Sequence, residues 1–250
     1  AGTSSGDGAD VFTGFENYIL SGNADTINLN VVHNGSIIDG GTGIDTASYT
    51  NVTTALTVTV NSGNTSAIVN DGTNSNTLKN IEKIIGGDGN DTFIVSNVAG
   101  INTLDGDNGT NTLQLSGSLD LSSVTLLNFN NILIANGDTL TLNAVDLSGK
   151  TMNITMSGTA NLVIVSDASS HDFSNITVTK GTGKVTLDVN INKDISGTNI
   201  HNIIDIFDVA SGNSLTLSHT QFNTHTGIGT GTLKLSDTSL TGAQIKSVND

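Results

Sequence analysis

Short stretches in which apolar and polar residues alternate recur along the whole chain. Clear examples are Thr112-Leu113-Gln114-Leu115, Leu140-Thr141-Leu142 and Val185-Thr186-Leu187-Asp188-Val189. A period of two places the apolar side chains on one face of a β-strand and the polar ones on the other. The pattern therefore predicts many short strands that each have one buried face.

A glycine- and aspartate-rich segment, Gly86 to Ile94, precedes one of these strands. Its residues GGDGNDTFI match the nonapeptide G-G-x-G-x-D-x-U-x, which is typical of a calcium-binding parallel β-roll. Glycine tolerates the positive φ of a tight turn, which directs backbone carbonyls inward, and Asp91 adds an anionic oxygen. Calcium takes about six to eight such oxygens. One nonapeptide cannot enclose the ion, so we expect the neighbouring coil to complete the site.

Related copies of the motif occur at residues 5–12, 22–27, 40–47 and 106–113, the last with Asn111 in place of the aspartate. Asp25 and Asp45 are 20 residues apart, as are Asp91 and Asn111, which indicates one coil between each pair. Plain β-turns between strands are the alternative interpretation. The predicted calcium ligands are Asp7, Asp10, Asp25, Gly41, Gly43, Asp45, Gly87, Asp88, Gly89, Asp91, Asp105 and Asp107.

A different repeat occupies residues 116–250. An aspartate, an apolar residue and a serine recur at Asp120, Asp146, Asp172 and Asp194, and an alternating segment precedes each of these phrases. A strand–corner–strand unit of 22–27 residues predicts a solenoid, here a right-handed parallel β-helix. An antiparallel β-sandwich is the alternative for this half. We expect each aspartate to cap a corner by accepting backbone N–H groups, with calcium ligation as the second possibility.

The charge balance restricts the partners. The 250 residues include 23 acidic and only eight basic ones, and the net charge is −15. This argues against nucleic acid, which needs a basic surface, and against anionic membrane surfaces. No apolar run reaches the ~18 residues of a membrane-spanning helix. Cysteine is absent, which excludes disulfides and thiol chemistry. An acidic surface is best neutralised outside the cell, where calcium is millimolar.

Motifs for catalysis are missing. The sequence contains neither HExxH nor GxSxG, and its five histidines are scattered. Lyases and epimerases built on β-helices need clustered basic residues to neutralise a uronate, whereas this chain has no arginine and only single lysines. The sequence therefore predicts a protein that is not an enzyme and has no catalytic residues.

Residues 40–61 (GGTGIDTASYTNVTTALTVTVN), the phrase NTLKNIE at 76–82 and the following GGDGNDTF together resemble the RTX proteins. These are calcium-binding, type I-secreted proteins of Gram-negative bacteria, among them toxins, proteases, epimerases, adhesins and S-layer proteins. The resemblance covers residues 1–115 and implies calcium binding and secretion. The repeats here are few and are interrupted at 28–39 and 48–85, unlike the long arrays of toxins.

Together these features predict an all-β protein. An interrupted calcium-binding β-roll at 1–115 continues into a Thr/Asn/Ser-rich β-solenoid at 116–250. The predicted function is a calcium-stabilised structural module of a secreted bacterial surface protein, in an S-layer lattice or an adhesin. Expected partners are calcium ions, other copies of the chain and cell-surface polysaccharide. The alternative is a non-catalytic C-terminal module of an RTX enzyme, or a carbohydrate-active β-helix.

Overall fold

The computed structural model describes residues 17–61, 66–167, 169–198, 203–222 and 226–236. The predicted ligands Asp7 and Asp10 lie outside these ranges. The chain divides into two compact units, with unit 1 ending at Leu133 and unit 2 beginning at Ile134. The sequence pattern changes its repeat type earlier, near residue 115.

Unit 1 consists of short strands joined by turns. They are β1 (Asn17–Ile19), β2 (Thr26–Asn28), β3 (Ser36–Asp39), β4 (Thr46–Ser48), β5 (Thr57–Asn61), β6 (Ser66–Asn70), β7 (Ser75–Lys79), β8 (Lys83–Ile85), β9 (Thr92–Val95), β10 (Thr103–Asp105), β11 (Thr112–Leu115), β12 (Leu119–Asp120), β13 (Thr125–Leu127) and β14 (Asn131–Ile134), whose last residue is the first of unit 2.

Two sheets form the walls of unit 1. The first sheet has the order β1-β3-β7-β6-β5-β9-β11-β14 and the second sheet has the order β2-β4-β8-β10-β13. Thr26 lies opposite Thr46, and Thr92 opposite Thr112, in parallel pairs. The predicted spacing of 20 residues per coil is thus confirmed. Side chains such as Ile38, Phe93 and Leu104 are fully buried and fill the interior, as the period-2 pattern predicts.

An antiparallel hairpin interrupts this winding. Strands β5 and β6 insert between β7 and β9 in the first sheet, and β6 runs antiparallel to both of its neighbours. In the second sheet, β8 pairs directly with β4 and β10. The interruption predicted at residues 48–85 is therefore a hairpin that widens only one of the two sheets.

Unit 2 is a parallel solenoid. Its elements are β15 (Thr139–Asn143), a 3-10 helix (Ala144–Asp146), β16 (Met152–Met156), β17 (Asn161–Val165), β18 (Ile176–Lys180), β19 (Val185–Val189), β20 (Lys193–Asp194), β21 (Ile206–Val209), β22 (Ser214–Leu217), helix α1 (His219–Phe222), β23 (Thr226–Gly229) and β24 (Thr232–Leu235).

The strands of unit 2 pair in parallel in three series: β15-β17-β19-β21-β23, β16-β18 and β20-β22-β24. The antiparallel sandwich considered for this half is therefore wrong. The chain forms an all-β solenoid with parallel sheets. Over the described ranges, neither the length nor the hydropathy of any helix suffices for crossing a bilayer.

The aspartates of the Asp-apolar-Ser phrases cap corners. Asp120, Asp172 and Asp194 each accept a 2.9 Å hydrogen bond from the backbone N–H of the serine two residues later. Asp146 differs, because it ends the 3-10 helix and accepts the Asn143 N–H at 3.3 Å. The expected role, accepting backbone N–H groups at a corner, is confirmed for all four aspartates.

Candidate metal-binding corners

The glycine-aspartate turns of unit 1 lie at two different corners of the coil. At the first, which we call the Asp45 corner, the chain passes from the first sheet to the second through residues 20–25, 40–45 and 80–82. At the other, the Asn111 corner, it passes from the second sheet to the first through residues 86–91, 106–111 and 128–130. The two complete nonapeptides, at 40 and 86, therefore do not stack on one another.

The first turns of the two corners are held together in the same way. Asp25 accepts the Ser21 N–H at 2.8 Å, and Asp91 accepts the Gly87 N–H at 2.7 Å. Asp91 accepts a second backbone bond, from the Leu56 N–H, at 2.7 Å. Both oxygens of the buried Asp91 carboxylate are therefore already hydrogen-bonded to backbone donors.

The second turns of the two corners also have equivalent hydrogen bonds. The Asp25 N–H donates to Asp45 Oδ1 at 2.8 Å, and the Asp91 N–H donates to Asn111 Oδ1 at 2.9 Å. Asp45 and Asn111 are both completely buried. Position 45 of one corner is thus structurally equivalent to position 111 of the other.

The third turn is a short asparagine turn at both corners. Asn80 and Asn128 have positive φ angles of 48° and 56°. Their side-chain amides donate 2.7 Å bonds to Asp39 and Asp105, respectively. At each corner, one further side chain accepts the backbone N–H of the second turn.

These final acceptors are Glu82 and Asn130. Glu82 Oε2 accepts the Asp45 N–H at 2.7 Å, and Asn130 Oδ1 accepts the Asn111 N–H at 2.8 Å. The candidate ligand set drawn from the motif did not include Asp39, Asn80 or Glu82. Their signal in the sequence is the phrase NIE, which precedes a glycine-aspartate turn and parallels NFN at 128–130.

The glycines serve two purposes. Gly41 and Gly43 have φ angles of +88° and +137°, as expected for the turn. Gly87 and Gly89 do not have positive φ, so the expectation is wrong for them. They are required instead by close packing, since a Cβ would lie 2.2 Å from the Val52 carbonyl oxygen at Gly87 and 2.7 Å from the Ala55 nitrogen at Gly89.

In the part of the chain that the structure describes, two buried carboxylate oxygens lack a hydrogen-bond donor, one at each corner: Asp45 Oδ2 and Asp107 Oδ2. Burial raises the pKa of Asp45 above its usual range, and the carboxylates of Glu82, Asp25 and Asp39 add to this effect. Burial likewise raises the pKa of Asp107, together with Asp105 and Asp88. Each corner thus concentrates negative charge around an unsatisfied oxygen.

The remaining predicted ligands lie beside Asp107. Asp105 Oδ1 accepts the Asp107 N–H at 2.9 Å, and Asp107 has a φ of 57°. Asp88 is exposed and accepts a 2.7 Å bond from the side-chain amide of Asn108. The adjoining coil at 105–111 is therefore the neighbour of the turn at 86–91, as the sequence predicts.

Unit 2 has a separate polar cavity. Its volume is about 300 Å³, and it is lined by Ser148, Ser170, His171, Asp172, Gly197 and Thr198. The imidazole Nε2 of the buried His171 lies 2.8 Å from Asp167 Oδ1. Lys180 is paired with Asp205.

Among the described residues, side chains alone do not form a metal site. In the described ranges, no group of three or more His, Asp or Glu side chains is arranged to hold an ion. A metal at either corner would therefore take further ligands from backbone carbonyls. Comparisons with protein-family models, with curated proteins and with solved structures each found no match.

Proposed function

We propose that this chain is a calcium-stabilised structural module of a secreted bacterial surface protein, in an S-layer lattice or an adhesin. The observation that carries the proposal is the donorless, buried oxygen at each corner, Asp45 Oδ2 and Asp107 Oδ2. A buried carboxylate needs a compensating partner, because leaving it unpaired costs several kcal/mol or more. Calcium, a hard cation with oxygen ligands, provides that compensation.

The distribution of charge supports a cation from outside the chain. The sequence has 23 acidic residues against eight basic ones. Within the described residues, both ion pairs, His171–Asp167 and Lys180–Asp205, lie in unit 2. The carboxylates gathered at the corners of unit 1 have no such partner there, so a bound dication is the simplest means of neutralising them.

Calcium would act through folding. Binding to the folded state alone stabilises a protein by RT ln(1 + [L]/Kd), about 2.7 kcal/mol when the ligand is at 100 times its Kd. In the calcium-poor cytosol the repulsion between carboxylates would disfavour folding of unit 1. Outside the cell, millimolar calcium would order the corners and stabilise the solenoid after export.

Secretion and surface assembly rest on the RTX resemblance of residues 1–115 and on the lack of catalytic motifs in the sequence. A solenoid buries the apolar row of each coil against the next one. Such a scaffold suits repetitive, load-bearing structures. Self-association into a lattice is the assembly that we expect.

Circular dichroism and thermal unfolding of the full chain in EGTA, in millimolar calcium and in millimolar magnesium test the proposal. We expect calcium to raise the melting temperature and the β content, and magnesium to do so much less. Identical curves in EGTA and calcium would show that calcium is not a structural ligand. Electron microscopy in calcium then tests assembly, because ordered sheets are expected for a lattice protein.

The cavity of unit 2 favours a second candidate, binding of a sugar residue of a polysaccharide. Its lining offers the hydroxyls of Ser148, Ser170 and Thr198 beside the buried imidazole of His171. These are groups that exchange hydrogen bonds with sugar hydroxyls. Glycan-array binding that is lost in His171→Ala but kept in Lys180→Ala would support this candidate, and the absence of any binding would rule it out.

A further inference from the structure

The Asp45 and Asn111 corners have the same backbone arrangement but differ in one atom at the centre. At position 111 the side chain ends in an amide, and at position 45 it ends in a carboxylate. The backbone N–H of the preceding turn donates to Oδ1 in both cases, at 2.8 Å for Asp45 and 2.9 Å for Asn111. This shared bond fixes the orientation of both side chains, so the atoms that differ are Asp45 Oδ2 and Asn111 Nδ2.

The Asn111 amide is surrounded by carbonyl oxygens. Its Nδ2 lies 3.4 Å from Asp107 O, 2.9 Å from Asn108 O and 3.0 Å from Asn128 O. The NH₂ group donates to these acceptors and joins the second turn to the third. The Asn111 corner is therefore satisfied at its centre by the protein's own hydrogen atoms.

Asp45 Oδ2 occupies the corresponding position without any hydrogen to donate. A Cβ on Gly40 would lie 2.1 Å from Asn80 O and 2.7 Å from Asp45 Oδ2. On the equivalent Gly106, it would lie 2.6 Å from both Asn128 O and Asn111 Nδ2. Asp45 Oδ2 and the Asn80 carbonyl oxygen thus both border Gly40, as Asn111 Nδ2 and the Asn128 carbonyl oxygen border Gly106. In sequence position, Gly41 and Thr42 correspond to Asp107 and Asn108.

We propose that the side-chain amide of Asn111 and a bound cation are interchangeable, so that the residue at position 45 or 111 decides which corner needs a central cation. A cation at the Asp45 corner attracts the carboxylate and the carbonyls at once, as the two amide hydrogens attract the carbonyls at the other corner. This inference rests on the proposed calcium function. It adds that the central position of the Asn111 corner is closed to calcium, which leaves that corner only the outer carboxylates around Asp107.

Four full-length variants test the exchange: Asp45→Asn, Asn111→Asp, the double exchange Asp45→Asn/Asn111→Asp, and the charge-matched control Asp138→Asn in unit 2. Calorimetric titration with calcium gives the stoichiometry, and melting in EGTA gives the calcium-free stability. We expect Asp45→Asn to bind one calcium ion fewer and to melt higher than wild type in EGTA. Asn111→Asp should bind one more and melt lower.

The double exchange conserves net charge and moves the cation-dependent centre to the other corner. We expect it to keep the wild-type stoichiometry, and Asp138→Asn to keep both the stoichiometry and the EGTA melting temperature. If wild type binds calcium but neither single exchange changes the stoichiometry, the interchangeability is wrong and the calcium function stands. If wild type binds no calcium, the proposed function itself fails. Should Asn111→Asp not fold, the stoichiometry and EGTA melting of Asp45→Asn alone decide the question.

Discussion

Replacing Asp91 tests whether backbone capping holds the Asn111 corner together, independently of any metal. Asp91 is 1% exposed, and its two oxygens accept the Leu56 and Gly87 N–H groups at 2.7 Å each. Leu56 belongs to the segment that leads into the inserted hairpin, and Gly87 to the turn itself. The carboxylate therefore ties the hairpin to the coil that follows it.

Asp91→Ala leaves two buried N–H donors without acceptors, at about 1–3 kcal/mol each. Burial raises the pKa of Asp91, so the ionised carboxylate already bears a desolvation cost that offsets part of this loss. We expect a net loss of about 2–4 kcal/mol in the free energy of unfolding. Asp91→Asn keeps one acceptor and turns an NH₂ group toward the other N–H, so about half of that loss is expected.

Urea unfolding in EGTA, followed by circular dichroism, measures the free energy, and hydrogen exchange of the Leu56 and Gly87 amides gives the local readout. Asp88→Asn is the control, because it removes the same charge from an exposed side chain in the same turn. Such surface changes usually stay within about 0.5 kcal/mol. Equal stability of Asp91→Asn and Asp88→Asn, with unchanged protection of the two amides, would refute the capping argument.

Three further predictions concern the core, the coil contacts and the pH dependence. Phe93→Ala removes a fully buried ring and should cost about 3–5 kcal/mol in urea unfolding; a loss below ~1 kcal/mol would contradict the assigned core. Gly183→Ala places a Cβ 1.6 Å from a backbone carbonyl oxygen, whereas nothing lies within 4 Å at Gly197. Gly183→Ala should lower the melting temperature and Gly197→Ala should not. Equal melting temperatures would show that the close approach of neighbouring coils does not require glycine at position 183. Burial would raise the pKa of Asp205, but hydrogen bonds from Lys180 and a backbone N–H outweigh it and lower the pKa. The stability that this ionised carboxylate contributes is present above the unfolded pKa of about 3.9 and is lost as the pH falls through the folded pKa. Asp205→Asn should therefore reduce the loss of stability at acid pH. An unchanged pH dependence of the free energy of unfolding would contradict this.

The sequence correctly predicted the features that depend on nearby residues: the buried side chains, the coil length and the corner hydrogen bonds. Alternation of apolar and polar residues has a period of two in any strand, so the inward side chains, Phe93 and Leu113 among them, followed from the pattern alone. The distance of 20 residues from Asp25 to Asp45 equals one coil, as the register confirms. The serine N–H bonds of Asp120, Asp172 and Asp194 likewise depend only on neighbours two residues away.

Sequence periodicity alone did not assign the turns to their corners. The motifs that begin at residues 40 and 86 have nearly the same sequence. The first connects the first sheet to the second, whereas the other connects the second sheet to the first. The reason is the hairpin β5–β6, whose pairing between β7 and β9 depends on contacts across the first sheet. Long-range pairing of this kind leaves no periodic signal in the residues between the motifs.

By itself, the sequence determined that this protein is an all-β solenoid with acidic, glycine-rich turns, because strand period, coil length and turn chemistry are local properties. Only the tertiary structure decided which groups meet at each corner. It placed both the carbonyl of Asn80 and Asp45 Oδ2 next to Gly40, and the carbonyl of Asn128 within 3.0 Å of Asn111 Nδ2. Those neighbours lie 35 and 17 residues away along the chain. Those contacts make the centres of the two corners differ: the Asn111 amide donates to carbonyls, whereas Asp45 Oδ2 has no hydrogen-bond partner.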